Sequence, residues 1–261
     1  METPTLHYVE SLARRAGEIL KAGFGRRHHL AYKGEIDIVT EMDHRSEAYL
    51  IGEIRRSFPA HAIVSEESGQ TTGKGNGQWI IDPLDGTINY AHGVPIFSVS
   101  LAYSEKGVLQ LGVVYDPMRD ECFSAERGCG AWLNGQPIQA SLIKDLNNSL
   151  LITGFPYDIR TNADNNLDHF TRLNLLTQGV RRLGSAALDL CYVAAGRFDA
   201  FWEMRLNPWD VAAGGLIAQE AGAVVTNMHG GEDYLSPPQS ILAANRYLHP
   251  ILLTLLNEPK G

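Results

Sequence analysis

The sequence predicts a layered α/β protein whose sheets mix parallel and antiparallel strands. Helical and strand patterns are interleaved along 261 residues, and several of the strand patterns are joined by short turns typical of hairpins. Hairpins pair neighbouring strands in opposite directions, whereas a purely parallel sheet needs a long crossover after every strand. The chain contains no internal repeat or low-complexity stretch. A chain of this length forms one large domain or two small, tightly joined ones.

Two helices are predicted in the first part of the chain. Apolar residues recur at three- and four-residue steps over residues 5–22, which is the period of an amphipathic helix. Residues 23–35 interrupt this pattern with glycines and a basic cluster, and a second helix is predicted at residues 43–56.

Short runs rich in β-forming residues follow, separated by Gly, Pro or Asp. The predicted strands of the first half are residues 62–65, 78–81, 97–103, 109–115, 121–125 and 131–133. Asn134-Gly135 is a strong hairpin signal after the last of these strands. The second half alternates strands at residues 150–153, 199–203 and 241–243 with helices at residues 165–177, 185–195 and 211–222, and a C-terminal helix follows.

Composition and charge restrict the possible functions. The chain has 22 Lys and Arg against 30 Asp and Glu, so its net charge is −8, which argues against direct nucleic-acid binding. No apolar run approaches the roughly 18 residues that span a bilayer, and the N-terminus lacks the pattern of a secretion signal. Cys122, Cys129 and Cys191 show no disulfide or zinc spacing. A cytoplasmic protein without a membrane segment is therefore expected.

Two acids stand at the end of the predicted strand at residues 78–81, in the sequence Asp82-Pro83-Leu84-Asp85-Gly86-Thr87. Proline has no N–H for a sheet ladder and glycine permits a tight turn, so the strand is expected to end here. Carboxylates at such a turn, with the free carbonyl of Leu84 between them, are oxygen ligands of the kind that Mg²⁺ prefers.

Other acids also stand at the ends of elements. Glu66-Glu67 follows the strand at residues 62–65, and Asp210 opens the helix predicted from Val211. Each has an ordinary structural alternative, since Asp210 could be only an N-cap and Glu66-Glu67 only a solvated loop. The nine histidines are scattered and the cysteines are not paired, so the four carboxylates together favour a metal cluster with oxygen ligands.

These motifs resemble the signatures of the inositol monophosphatase family. The Asp82 to Thr87 segment, with Trp79-Ile80-Ile81 before it and Asn89-Tyr90 after it, is similar to the first signature. Trp209-Asp210-Val211-Ala212-Ala213-Gly214, followed by Glu220-Ala221-Gly222-Ala223, is similar to the second. Supporting matches lie at residues 37–43, 65–69, 184–187 and 201–203. They stand in family order and span roughly residues 37–222, which makes the resemblance very specific.

The resemblance implies the layered αβαβα fold that inositol monophosphatases share with fructose-bisphosphatases. It implies a single unit over residues 1–261, with a metal- and phosphate-binding half at residues 1–140 and a substrate-side half at residues 141–261. The implied activity is that of a lithium-sensitive, Mg²⁺-dependent phosphomonoesterase, with a homodimer as the expected assembly.

The resemblance also assigns metal ligands. Glu66, Asp82 and the Leu84 carbonyl would hold one Mg²⁺, and Asp82, Asp85 and Asp210 a second. Asp82 would bridge the two ions, and Glu66 would also reach a third, weaker one. Two cations about 3.5–4 Å apart can stabilise the attacking and leaving oxygens of an in-line displacement and activate a water near neutral pH.

The catalytic residues implied are Glu66, Thr87 and Asp43, of which the last two match the family positions that assist the water. The Thr87 hydroxyl also suits a turn cap, and the two roles are compatible. The implied substrate-binding residues are Asp85, Gly86, Thr87, Gly184, Ser185, Ala186, Glu203 and Asp210. Backbone N–H groups of Gly86 and Thr87 are expected at the phosphate. Glu203 would accept hydrogen bonds from vicinal hydroxyls, although its residue pattern alone indicates a surface acid on an edge strand.

Several substrates and functions stay open. Myo-inositol monophosphate or a similar polyol phosphate is preferred. Fructose 1,6-bisphosphate is an alternative whose second phosphate would need a basic contact such as Arg160, Arg181 or Arg182. Adenosine bisphosphates are disfavoured because residues 88–90 depart from the pattern of the phosphatases that use them.

A regulatory role is the alternative from another class. Residues 181–190 are similar to those of bacterial relatives that contact the transcription machinery. The polar segment at residues 154–168 is predicted to be either a plain surface loop or a lid on the substrate side.

Overall fold

Helices and strands alternate along the residues that the computed structural model describes, which are 3–26, 30–32 and 38–258. The α-helices are α1 (Leu6–Gly23), α2 (Glu41–Ser57), α3 (Thr87–Ala91), α4 (Leu167–Leu176), α5 (Ala186–Ala194), α6 (Pro208–Glu220) and α7 (His249–Asn257). The strands of the first half are β1 (Leu30–Tyr32), β2 (Ile38–Thr40), β3 (Ala62–Ser65), β4 (Gly69–Thr71), β5 (Gly77–Asp85), β6 (Ser98–Glu105), β7 (Val108–Asp116), β8 (Glu121–Glu126), β9 (Gly130–Leu133) and β10 (Gln136–Pro137). The strands of the second half are β11 (Leu150–Thr153), β12 (Gly179–Arg181), β13 (Ala200–Met204), β14 (Val224–Thr226) and β15 (Ser240–Ala244).

Both large sheets are mixed, as the sequence predicts. The eight-stranded sheet has the order β10-β9-β8-β7-β6-β5-β3-β4, in which β3 and β5 are parallel and the other neighbours antiparallel. The five-stranded sheet has the order β12-β11-β13-β15-β14. There β11 runs parallel to both of its neighbours, and β15 runs antiparallel to both of its own.

Helices fill the spaces on both sides of each large sheet. α1 and α2 cover one face of the eight-stranded sheet, α5 and α6 lie between the two sheets, and α4 and α7 cover the far face of the five-stranded sheet. This confirms the predicted αβαβα layering. The central apolar core contains residues from both sheets, and the proposed division into residues 1–140 and 141–261 stays a prediction.

The sequence signals for several elements correspond to observed contacts. Thr5 caps α1, because its hydroxyl accepts a hydrogen bond from the Tyr8 N–H at 3.2 Å. The buried face of this helix holds Val9 and Leu12 among others, at the predicted spacing. Asn134 and Gly135 both have positive φ, 49° and 76°, as a two-residue hairpin turn requires. The hairpin between β9 and β10 is therefore confirmed.

The expectation that the strand before the paired acids ends at Asp82 is wrong. β5 continues to Asp85, with Asp82 opposite Ser100, Asp85 opposite Ser98 and a register shift between the two pairs. Pro83 lies within this irregularity, where the strand pairing does not require the N–H group that proline lacks. The short strands β1, β2, β4, β12 and β14 were not predicted.

Helix α6 lies unusually close to β7 at Gly112. A Cβ at this position would stand 2.8 Å from the Ala213 carbonyl oxygen and 3.2 Å from the Ala213 Cα. Only a residue without a side chain permits this approach, because backbone atoms cannot turn away. The contact fixes the height of α6 above the sheet, and Asp210 lies in the first turn of the same helix.

We expect Gly112→Ala to lower the free energy of unfolding by about 1–3 kcal/mol, because the added methyl group overpacks a rigid contact. The matched control is Gly52→Ala, which adds the same methyl group in α2 where nothing lies within 4 Å. That variant should gain about 0.5–1 kcal/mol from helix propensity. Urea unfolding followed by circular dichroism measures both changes, and an equal response of the two variants would contradict the packing argument.

Candidate active site

The two acids of the Asp82 to Thr87 motif lie at the carboxyl-terminal end of β5. Asp82 is only 2% exposed, and its Oδ1 accepts a hydrogen bond from the Leu84 N–H at 3.0 Å. The Ser46 hydroxyl on α2 donates to the Pro83 carbonyl oxygen at 2.8 Å, which ties this turn to the helix behind it. Gly86, with φ of 94°, then reverses the chain into α3. The turn is thus held from both sides.

Asp85 is bound to the N-terminus of α5. Its Oδ2 accepts hydrogen bonds from the Ser185 hydroxyl at 2.6 Å and from the Ala187 N–H at 2.8 Å. Ser185 is also the N-cap of this helix. Burial raises the pKa of Asp85 to about 6, although these hydrogen bonds favour the charged form. The Ser185 hydroxyl therefore positions Asp85, and contact of Gly184, Ser185 and Ala186 with substrate stays a prediction.

Asp210 occupies the first turn of α6, but it is not the N-cap. The N-cap is Asn207, Pro208 is the first helical residue, and the Asp210 Oδ2 accepts the Asn207 N–H at 2.6 Å in a capping box. The predicted start of this helix at residue 211 was therefore three residues late. One carboxylate oxygen caps the helix, and Asp210 still lines the central cavity.

Glu66 follows β3 in a loop that Glu47 of α2 holds in place. The Glu47 Oε1 accepts the Glu67 and Ser68 N–H groups at 3.2 and 3.0 Å, and the hydroxyls of Ser65 and Ser68 also donate to this carboxylate. Glu66 is half-buried, and its N–H donates to the Ile81 carbonyl oxygen at 3.2 Å. The backbone N–H groups of Glu66 and Glu67 are thus both bonded within the chain, so the alternative that Glu66-Glu67 is only a solvated loop is wrong.

Asp43 and Thr87 form a direct pair. The Thr87 hydroxyl lies 3.0 Å from Asp43 Oδ1 and 3.0 Å from the Leu84 carbonyl oxygen, so that its one proton serves two acceptors. Asp43 Oδ2 also accepts the Thr40 N–H at 2.9 Å in the capping box of α2. Burial raises the pKa of the Asp43 carboxyl, partly offset by these hydrogen bonds. The structure brings together the two residues expected to assist the water.

The acids of the site form a concentrated negative charge. Burial raises the pKa of Asp82 well above its usual value, and nearby carboxylates add to this effect. Those carboxylates are Glu66, Asp85 and Asp210. Burial also raises the pKa of Asp210, even though its capping hydrogen bond opposes the change. In the described part of the chain, no Lys or Arg forms an ion pair with Asp82, Asp85 or Asp210.

This charge and donor set suit a divalent cation. The side chains offer only carboxylate oxygens, the ligands of Mg²⁺, and an ion would offset the repulsion between them. Within residues 3–26, 30–32 and 38–258, no group of three or more His, Cys, Asp and Glu side chains is placed so that it could hold a metal ion. The donors fit Mg²⁺ in their chemistry alone, and the assignment of Glu66, Asp82, Leu84, Asp85 and Asp210 to individual ions stays a prediction.

Asp85 and Asp210 line a cavity of about 260 Å³, whereas Glu66 and Asp82 are not among its lining residues. All eight expected substrate-binding residues line it: Asp85, Gly86, Thr87, Gly184, Ser185, Ala186, Glu203 and Asp210. Five residues of the segment at residues 154–159 also line it: Gly154, Phe155, Pro156, Tyr157 and Ile159. That segment is therefore more than a plain surface loop, although its action as a lid stays a prediction.

Glu203 is a buried acid on an inner strand. It is 9% exposed, and β13 lies at the centre of the five-stranded sheet, so the alternative of a surface acid on an edge strand is wrong. Burial raises the pKa of Glu203 to about 8. A Cβ on Gly154 would stand 2.1 Å from its Oε2, so glycine is required for the carboxylate to fit. No hydrogen-bond donor to this carboxylate is found among the described residues.

Hydrogen bonds hold both ends of the segment at residues 154–166, part of which lines the cavity. The Asn166 side-chain amide donates to the Thr153 hydroxyl at 2.9 Å and to the Gly154 carbonyl oxygen at 2.7 Å, and it accepts the Trp202 indole N–H at 2.7 Å. These contacts join both ends of the loop to β13. They also explain why Gly154 keeps its place against the carboxylate of β13.

Arg205 ties the outer part of the same loop. It has a positive φ of 58°, which is uncommon for a residue with a side chain, and its guanidinium pairs with Asp158 and Asp164. Sequence reasoning missed Arg205, Glu47 and Gly154. The one available signal was the position of Glu47 four residues after Asp43, on the same face of a predicted helix.

Comparisons with known proteins cover nearly the whole chain. The sequence model of the inositol monophosphatase family matches residues 2–260. The chain is 45% identical over 260 residues to the Nus factor SuhB of Pseudomonas aeruginosa, with 97% of this chain and 96% of that protein covered. Among solved structures, the inositol monophosphatase of Anabaena (Nostoc) sp. PCC 7120 is 44% identical, with a TM-score of 0.88. The alignment covers 97% of this chain and 96% of that one.

A second structure points the same way. The IMPase of Thermotoga maritima is 40% identical, with a TM-score of 0.89 and the same coverage of 97% of this chain and 96% of the other. The family match extends over nearly the whole chain, and the relatives align end to end. The chain therefore belongs to the inositol monophosphatase family.

Proposed function

We propose that this chain is a Mg²⁺-dependent phosphomonoesterase that hydrolyses myo-inositol monophosphate or a similar polyol phosphate. The observation that carries the proposal is the meeting of two features at one cavity: acids that need cations, and a buried Glu203 that needs hydrogen-bond donors. A phosphate monoester carries about 1.5 to 2 negative charges near neutral pH. Since the wall is already negative, phosphate binding requires cations.

The ligand assignment follows the family pattern. Glu66, Asp82 and the Leu84 carbonyl would hold one Mg²⁺; Asp82, Asp85 and Asp210 would hold a second, and a third, weaker ion would lie near Glu66. When bound, these ions supply Lewis-acid stabilisation of the phosphoryl oxygens and increase the acidity of water. The chain itself supplies position and charge, because Asp85 and Asp210 are each fixed at a helix N-terminus.

The Thr87 and Asp43 pair is proposed to orient the attacking water. The Thr87 proton is engaged by Asp43 and the Leu84 carbonyl, which leaves a lone pair of the hydroxyl oxygen free to accept a hydrogen bond from water. The water oxygen then forms the new bond to phosphorus as the bond to the alcohol oxygen breaks. The water gives a proton to the Thr87 oxygen while Thr87 passes its own to Asp43, and the alcohol oxygen takes up a proton from solvent. No side chain of the protein becomes phosphorylated in this scheme.

The alcohol side of the cavity supports a polyol. Glu203, Gly154 and Ala186 line the cavity, whereas the buried Asp82 does not. A buried carboxylate without a donor is costly, and alcohol hydroxyls would supply the missing hydrogen bonds. The proposed substrate class rests on this requirement.

Fructose 1,6-bisphosphate is the alternative substrate. Of the three arginines considered for its second phosphate, Arg182 lines the cavity, whereas Arg160 and Arg181 do not. Arg182 is exposed and forms no ion pair within the described residues. It is therefore the residue to change when dual activity is tested.

A regulatory role is the second candidate function, and the similarity to the Nus factor SuhB favours it. Retained acids at the site do not conflict with a role in transcription that depends on protein contacts, and the net charge of −8 favours a protein partner over nucleic acid. A pull-down with transcription elongation factors, using the Asp82→Asn protein, tests this role apart from hydrolysis. Absence of any captured factor would remove the second candidate.

The remaining expectations belong to the same proposal. They are inhibition by Li⁺, assembly as a homodimer and a cytoplasmic location. No helix among the described residues is long and apolar enough to cross a membrane.

We expect Asp82→Asn to abolish phosphate release from inositol, sugar and nucleotide monophosphates assayed with Mg²⁺. An amide cannot provide the second anionic oxygen of a bridging ligand. Asp116→Asn is the control, because Asp116 is also fully buried but binds Met118 and Arg119 outside the cavity. The control should retain activity where it stays folded, and full activity of Asp82→Asn would remove the metal assignment.

We expect Glu203→Gln to weaken hydrolysis of inositol monophosphate by about 1.5–3 kcal/mol in transition-state stabilisation, because charge-assisted hydrogen bonds to hydroxyls are lost. Phenyl phosphate, whose leaving group has no such hydroxyls, should be hydrolysed nearly as well as by the unchanged protein. Steady-state kinetics on both substrates measures the difference. Equal losses would indicate that Glu203 only supports the structure of the site.

A further inference from the structure

Asp189 is a buried acid in the cavity wall that has no partner in the chain. It is 1% exposed, and its Oδ1 is fully enclosed without a hydrogen-bond donor among the described residues. No described residue donates to the other carboxylate oxygen either, and Asp189 lines the same cavity as Glu203. An unsatisfied buried acceptor costs free energy, and such groups in native proteins call for an explanation.

Unlike Asp85, the Asp189 carboxylate receives no hydrogen bond from the N-terminus of α5. Asp85 receives the Ser185 hydroxyl and the Ala187 N–H at the start of α5. Asp189 lies one turn further along that helix, where its own N–H bonds to the Ser185 carbonyl oxygen at 2.9 Å. The N–H groups that could satisfy a carboxylate are therefore already used.

No described positive charge forms an ion pair with Asp189. Burial raises its pKa well above the usual value, and the charges of Glu203 and Asp85 act in the same direction. Arg182 opposes them, but this side chain is exposed and forms no ion pair with the acid. Two neighbouring carboxylates, Asp189 and Glu203, thus stand in one cavity wall without donors.

We propose that Asp189 is a specificity-determining residue that binds a second hydroxyl of the leaving alcohol beside the hydroxyls bound by Glu203. This inference rests on the proposed function and refines its substrate class. A pair of acceptors selects alcohols that present at least two neighbouring O–H donors. The same pair disfavours a leaving group with its own anionic substituent, because like charges repel in a desolvated site.

The test compares Asp189→Asn with the unchanged protein on three substrates. With inositol monophosphate, kcat/KM should fall roughly tenfold or more, mainly through a higher KM, since a charge-assisted hydrogen bond is removed. Phenyl phosphate should be hydrolysed within about twofold of the original rate, and fructose 1,6-bisphosphate should be used as well as before or better. Equal losses on inositol and phenyl phosphates, or no loss on either, would overturn the inference.

A stability measurement separates binding from structural support. Because Asp189→Asn removes a buried, unsatisfied acid whose charge is repelled by Glu203 and Asp85, the variant should unfold at an equal or higher temperature than the unchanged protein. Myo-inositol with inorganic phosphate and Mg²⁺ should raise the unfolding temperature of the unchanged protein more than that of the variant. A variant that unfolds earlier and responds equally to myo-inositol would assign Asp189 a purely structural role.

The two proposals fail in different ways. Hydrolysis of phenyl phosphate by the unchanged protein tests the phosphatase, whereas the ratio of inositol to phenyl phosphate rates tests Asp189. A protein that releases phosphate from neither substrate would remove the proposed function. A protein that hydrolyses both, with a ratio unaffected by Asp189→Asn, would remove only the present inference.

Discussion

Repulsion between buried carboxylates is the constraint on which the site depends. Asp82 is enclosed by protein, and the charges of Glu66, Asp85 and Asp210 all act on it. Part of this charge is offset inside the chain, because the N-termini of α5 and α6 bind Asp85 and Asp210 with backbone N–H groups and partial positive charge. No described Lys or Arg forms an ion pair with Asp82, Asp85 or Asp210, so the remaining charge of these three acids is left for cations or protons to offset. The proposed binding of Mg²⁺ would relieve this repulsion.

Helix α2 and the close packing of α6 hold the acids in place. Asp43, Ser46 and Glu47 stand on one face of α2, at the spacing that aligns side chains on a helix. They contact Thr87, the Pro83 carbonyl and the loop after β3, respectively. A single helix face therefore positions the Asp43–Thr87 pair, the turn of β5 and the loop that carries Glu66. The contact at Gly112 does the same for the helix of Asp210.

Much of this arrangement was predictable from sequence, because the signals are local. The apolar period of α1, the Asn134-Gly135 turn and the acids of the two signatures each depend on residues close in the chain. Prediction was weaker wherever a distant partner decides the outcome. β5 passes Pro83 because its neighbour β6 tolerates a register shift. Gly154, which leaves room for the Glu203 carboxylate, directly follows β11 and lies 49 residues before Glu203 in the chain. The burial of Asp189 depends on the packing of α5 between the two sheets. No pattern in a single sequence reports such contacts.

The most direct measurement of the central claim is the dependence of stability on Mg²⁺ without substrate. Protein freed of metal with a chelator is unfolded by heat at increasing Mg²⁺ concentrations, alongside Asp82→Asn. Because an ion that binds the folded state stabilises it by mass action, the unfolding temperature of the unchanged protein should rise with the logarithm of the Mg²⁺ concentration above the dissociation constant. The variant should show little of this rise. An unfolding temperature that does not respond to Mg²⁺, or an equal rise in both proteins, would contradict the assignment of the acid cluster as a cation site.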